Sequence, residues 1–153
     1  MKKIRIPLAF ITVCTLITLA ISTLSFTTWF GLDTYEIYLN NQSVFRQAIN
    51  QPVNLRVLQL DKAAATDQLQ VLYRHCRKDN GPGTGRSIAL KDETGSTLRK
   101  WDFADPTGTN PKMTIAMRDL LQIAGKNTGH RLSLYYTAHE LEKEEMLSML
   151  RFK

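Results

Sequence analysis

Three features of the sequence predict a mostly β fold, a single antiparallel β-sandwich of immunoglobulin-like architecture with about eight strands. Apolar residues recur with a period of two through most of the chain beyond residue 30, as half-buried strands require. Turn-forming residues interrupt these runs at intervals of about 8–15 residues, close to the rhythm of a sandwich. The densest block, Asp67 to Phe103, reads as three strands in succession, and the remaining elements are arranged around it.

In chain order, Leu32 to Ile49 reads as a hairpin. Tyr35, Ile37 and Leu39 share one face, Asn40-Asn41-Gln42-Ser43 makes the turn, and Val44 to Ile49 returns. Pro52 breaks the chain. Leu55, Val57 and Gln59 then alternate with Arg56, Leu58 and Leu60, and Asp61 to Thr66 forms a short connector. In the central block Leu69, Val71 and Tyr73 alternate with Gln70, Leu72 and Arg74. A glycine-rich turn leads to Ile88 and Leu90 on one face of the next strand. Asp92-Glu93-Thr94-Gly95 closes a hairpin in which Gly95 takes a positive φ, and a third strand returns through Leu98 to Trp101 and Phe103.

Asp105 to Pro111, with two prolines and a glycine, is the clearest loop. Met113, Ile115 and Met117 alternate as a strand that runs into a helical turn stopped by Gly125. Leu132, Leu134 and Tyr136 make a further strand, and Glu140 to Glu145 is charged and turn-like. The last strand alternates Met146, Ser148, Leu150 and Phe152 against Leu147, Met149 and Arg151.

Residues 1–30 are of another kind. Met1 to Arg5 is positively charged, and Ile6 to Phe30 carries no charge. Such a segment is a secretory signal peptide or an uncleaved signal anchor. Ala20 and Ser22 stand at the −3 and −1 positions for cleavage after Ser22. If the segment is retained, Trp29 and Phe30 sit at the outer interface. Cys14 follows Val13 inside the apolar run, which is the wrong context for lipidation. The expected location is the periplasm or cell envelope. Residues 31–153 form the sandwich, tethered to the inner membrane through residues 6–30 if the leader stays.

The formal charge of +6 overstates the basicity of that body. Lys2, Lys3 and Arg5 are three of the 20 basic residues, leaving 17 against 14 acidic ones. No basic run with interleaved aromatics follows, so nucleic-acid binding is not expected.

Chemistry-bearing residues are few. Gly81 to Ser87, GPGTGRS, resembles a phosphate-binding loop, but Asn80 stands where its first glycine belongs and Arg86 replaces the lysine. A strand-like SIAL follows where a helix N-terminus is needed. The expectation is a loop between strands, with Arg86 as a candidate contact for an anion or a partner. His75 and Cys76 are adjacent on a strand and point to opposite faces, and His130 and His139 are an odd number of positions apart. Neither pair has ligand spacing. A copper-type site would have to be assembled across strands with Met113, Met117 or Met149. Cys76, the one cysteine outside the leader, reads as a buried strand residue; a nucleophile would need His130 or His139 brought to it.

Asp92, Glu93, Asp102 and Asp105 could supply paired carboxylates, although the first two lie in a turn. No Gly-x-Ser-x-Gly or His-Glu-x-x-His pattern is present. Alternation places Tyr35 and Tyr136 inward, and Tyr38 and Tyr135 outward as candidate partner contacts. The loops Asp79 to Arg86 and Asp105 to Pro111 are further candidate surfaces. The expected function is that of an exported, non-enzymatic accessory module that needs no cofactor and binds another envelope protein. A copper-type metal-binding protein is the first alternative. An enzyme built on Cys76 and a histidine is the second.

Overall fold

The computed structural model describes residues 31–76, 81–107 and 110–152. The leader with Cys14, Trp29 and Phe30, the cleavage position after Ser22, and Asp79, Asn80, Gly108 and Thr109 of the two candidate loops lie outside the described residues. Among the described residues no helix is long and apolar enough to cross a membrane.

Among the described residues nine strands form two sheets. They are β1 (Thr34–Leu39), β2 (Gln42–Ala48), β3 (Val57–Gln59), β4 (Gln68–Arg74), β5 (Ser87–Lys91), β6 (Thr97–Asp102), β7 (Met113–Ala116), β8 (Leu132–Thr137) and β9 (Glu145–Arg151). One sheet has the order β2-β1-β4-β7 and the other β3-β9-β8-β5-β6. A helix, α1 (Met117–Lys126), joins β7 to β8. The inner rows of both sheets meet in one core, which makes the arrangement sandwich-like. Tyr35, Ile37, Leu69, Val71 and Tyr73 come from the first sheet, and Ile88, Leu90, Leu134 and Tyr136 from the second. The Tyr73 and Tyr136 rings stack across the gap at 4.2 Å between centroids.

Two features depart from the expected architecture. β3 runs parallel to β9, whereas every other pairing is antiparallel. The strand order also differs from the ABED/CFG order of immunoglobulin constant domains, so the likeness lies in the layers and not in the connectivity. Period-two alternation marks a strand but says nothing of the direction of its neighbour.

Local chemistry explains most elements. Asn40 and Asn41 adopt positive φ angles of 50° and 66°, the backbone a tight β1–β2 turn demands. Asp92 Oδ1 accepts from the amides of Thr94 and Ser96 and lets Gly95 close the β5–β6 turn at φ 85°. Three bulges shift the strand phase. Val44 is the extra residue against β1, Leu98 the extra one against β5, and Leu147 the extra one against β8. The last lets Leu147 and Ser148 both be buried although they are consecutive.

Met117 ends the period-two run of Met113 and Ile115 and begins a 3.6-residue run through Leu120, Leu121 and Ala124. It belongs to α1, which passes through Gly125 instead of stopping there. The segment expected as a strand from Leu55 is a 3₁₀ turn at Val53–Leu55 followed by the short β3.

Burial gives the core tyrosines an alkaline signature. The Tyr35 hydroxyl, which donates to the Leu147 carbonyl, is pushed up to about 12 from 10.0, and those of Tyr73 and Tyr136 are raised further. In each case desolvation of the phenolate is the largest cause. A group whose folded pKa is raised stabilises the fold below its unfolded pKa and loses that contribution as pH climbs toward the folded value. Phenolate absorbance should therefore rise in a cooperative step that coincides with loss of the β circular-dichroism signal above pH 10. Gradual ionisation of Tyr35, Tyr73 and Tyr136 in a folded chain would contradict this packing.

Candidate functional site

The outer face of the four-stranded sheet brings together the richest set of exposed chemistry. β1 presents Thr34, Glu36 and Tyr38 outward, and register places them opposite Arg74, Leu72 and Gln70 of β4. On the other flank Glu36 faces Arg46 of β2. Leu72 is only 5% exposed although it points away from the core. Next to Tyr38 this face holds a surface depression of about 400 Å³, lined by Leu72 and Glu36 together with Arg46, Arg74, Thr34 and Ala48.

Charge on this face is uneven. Arg46 Nη2 lies 2.7 Å from Glu36 Oε2, but Arg46 is largely exposed, so the pair adds little stability. Burial pushes the Glu36 carboxyl up, yet bonds from Ser43, Arg46 and Tyr38 outweigh it and hold it below 4.5. Burial and the bond to Glu36 raise the Tyr38 hydroxyl. Lys112 Nζ sits 3.7 Å from the centroid of the Tyr38 ring. Arg74 and Lys112 have no acid partner within salt-bridge distance among the described residues. The face therefore carries more basic than acidic side chains, with the Tyr38 ring close to both the Lys112 ammonium and the Glu36 carboxylate. Comparison with protein-family models, curated proteins and solved structures finds no match to this chain. The geometry alone carries the functional reading.

Tyr135, the other outward tyrosine, is on β8 in the opposite sheet, with Lys91 Nζ 5.1 Å from its ring. The two tyrosines face away from the core on different sheets and cannot form one patch. Arg86 is not a surface contact either. It is 4% exposed, and its guanidinium donates to the carbonyls of Pro111 and Ala104, joining these two residues. Its Nε has no partner among the described residues.

The glycine-rich loop has a structural role. The Thr84 amide donates to Glu140 and the Gly85 amide to Asp105, so these N–H groups face carboxylates instead of a phosphate. Strand β5 follows, as the sequence indicates. Burial pushes the Glu140 carboxyl up, but bonds from Thr84 and the nearby His75 hold it below 4.5. Gly83, at φ 80°, has no room for a side chain, since a Cβ would come within 2.6 Å of His75 Nε2.

Beneath this loop lies a buried polar chain. Asp33 accepts from the Tyr73 hydroxyl at 3.0 Å and the Cys76 amide at 2.8 Å, and lies 3.1 Å from His75 Nδ1. His75 Nε2 is 3.2 Å from the Tyr136 hydroxyl, which also donates to the Pro82 carbonyl at 2.9 Å. A carboxylate, imidazole and hydroxyl in line resemble a catalytic relay. Here the terminal hydroxyl is a phenol that burial makes less acidic, and it lies under Pro82 and Gly83. The chain ties the start of β1 to the ends of β4 and β8.

His75 and Cys76 lie just beyond β4, not on it, and Cys76 is half-buried against Gly31. His130 is held by Glu93 at 2.8 Å, and the His139 ring packs on Gly85. Met113 and Met117 are core residues. Among the described residues no three of His, Cys, Asp and Glu gather as a metal-ligand set.

Proposed function

We propose that the chain is an exported cell-envelope accessory module that acts by holding a partner protein and performs no chemistry of its own. The depression beside Tyr38, with the hidden Leu72 and two guanidinium groups, carries this reading. It suits an apolar side chain flanked by acids, and complementary charge speeds encounter and fixes register. The bulge at Val44 blunts the β2 edge, which favours docking through side chains over strand addition. The charge-free stretch Ile6 to Phe30 supports export.

The test is recovery of the complex from envelope extract. Arg74→Glu with Lys112→Glu should lower partner affinity about ten-fold and slow association more than dissociation, because like charge then meets the acidic partner. Both side chains are at the surface, so thermal stability should stay near that of the parent. Equal recovery of the same partner by both proteins would overturn the assignment of this face.

A further inference from the structure

A second surface, on the flank formed by α1, β3 and β9, has a different character. A groove of about 820 Å³ opens there, within the roughly 300–1,000 Å³ span of small-molecule sites. It reaches core side chains Leu60, Leu132 and Leu150, and Leu121 and Ala124 of α1 line it together with Val57, Met149 and Phe152. Gly125 leaves a gap in the helix wall, and a Cβ added there would meet nothing within 4 Å.

The rim is polar and its charge is one-sided. Arg131 and Arg151 line the groove, and neither pairs with an acid among the described residues. Asp61 is the one acid among the lining residues. His130 also lines the rim, its Nδ1 held by Glu93 Oε1 while Glu93 Oε2 accepts the Arg131 amide. An apolar trough ending at two guanidinium groups matches a chain of methylenes ending in a single anion. Guanidinium groups bind carboxylates through paired N–H bonds.

We propose that this groove binds a long-chain carboxylate of the fatty-acid class, with the acyl chain along α1 and the head group between Arg131 and Arg151. It is a different surface from the Tyr38 face, and neither assignment depends on the other.

The experiment uses the full chain with a palmitate analogue carrying a photoreactive diazirine in its tail, followed by peptide mapping of the adduct. Labelling should concentrate on Leu121 to Leu132 and Met149 to Phe152, and excess palmitate should abolish it. Hexadecanol, which has the same chain without the charge, should compete about five-fold less well, the scale of two exposed charge contacts. Arg131→Ala with Arg151→Ala should erase that preference while leaving the circular-dichroism spectrum unchanged. Gly125→Phe should fill the groove and remove the label. Adducts scattered over the chain, labelling that palmitate does not compete, or an unchanged preference in the arginine variant would overturn the proposal. The arginine variant alters only exposed side chains, so it decides the matter even if Gly125→Phe misfolds.

Discussion

Arg56→Ala is expected to lower folding stability by about 3–5 kcal/mol, the cost of removing one partner from a buried ion pair. That is at least a fifth of the roughly 5–15 kcal/mol that holds a domain of this size together. Arg56 is 3% exposed. Its Nη1 donates to Glu145 Oε1 at 2.7 Å and to the Met146 carbonyl at 2.5 Å, its Nε to the Gln51 carbonyl at 3.0 Å, and its Nη2 to the Ile49 carbonyl. One guanidinium thus ties the chain just after β2 to β9 of the other sheet.

Alanine would leave three carbonyls and a carboxylate without their donor. Arg56→Lys should recover little, because one ammonium cannot reproduce a planar fork aimed at four acceptors. Glu145→Gln should cost only about 1 kcal/mol, since an amide oxygen still accepts the bond and the residue is partly exposed. Urea unfolding reads these as shifts of the midpoint at constant slope. A loss under 1 kcal/mol for Arg56→Ala would mean that the sheets are joined elsewhere.

Asp33→Ala should have a comparable effect, about 3–4 kcal/mol. It strips the acceptor from the Tyr73 hydroxyl, the Cys76 amide and the His75 ring at once, and each orphaned buried donor costs roughly 1–3 kcal/mol. Asp33→Asn keeps one acceptor oxygen and should lose about half as much. Combining Asp33→Ala with Tyr73→Phe should cost less than the sum of the two, because the phenylalanine removes one of the orphaned donors. Strict additivity would show that the Tyr73–Asp33 bond contributes nothing to stability.

Much of the fold was legible because the inner rows are long and regular. Tyr35 and Ile37, Leu69, Val71 and Tyr73, Ile88 and Leu90, and Leu132, Leu134 and Tyr136 are strand residues that alternate into the core. What stayed hidden is what period two cannot express. A bulge at Leu147 inverts the phase within β9, and nothing in VLQ announces that β3 lies parallel to its neighbour. Leu72 and Gln70 are buried although they point to the outer face, opposite Glu36 and Tyr38 of β1, a placement that depends on register across strands.

The candidate site was half legible. Tyr38 was placed outward by alternation, but its companions Arg46, Arg74 and Lys112 come from three other segments and gather only on folding. Arg86 looked like a surface cation because it ends a glycine-rich loop. The carbonyls of Ala104 and Pro111 that draw it inward lie 18 and 25 residues away. Arg131 and Arg151 are likewise remote in sequence, and the antiparallel pairing of β8 with β9, which sets Leu132 opposite Leu150, brings them to one groove.

Site-specific photocrosslinking in intact cells tests the central claim most directly. A photoreactive amino acid placed at Val44 or Thr114, both exposed and flanking the Tyr38 face, should yield one discrete adduct with a single envelope protein. The same probe at Tyr135, on the opposite sheet, should yield none. An adduct from Tyr135 alone, or no adduct from Val44 and Thr114 in cells that process the chain normally, would contradict the assignment of this face to a partner.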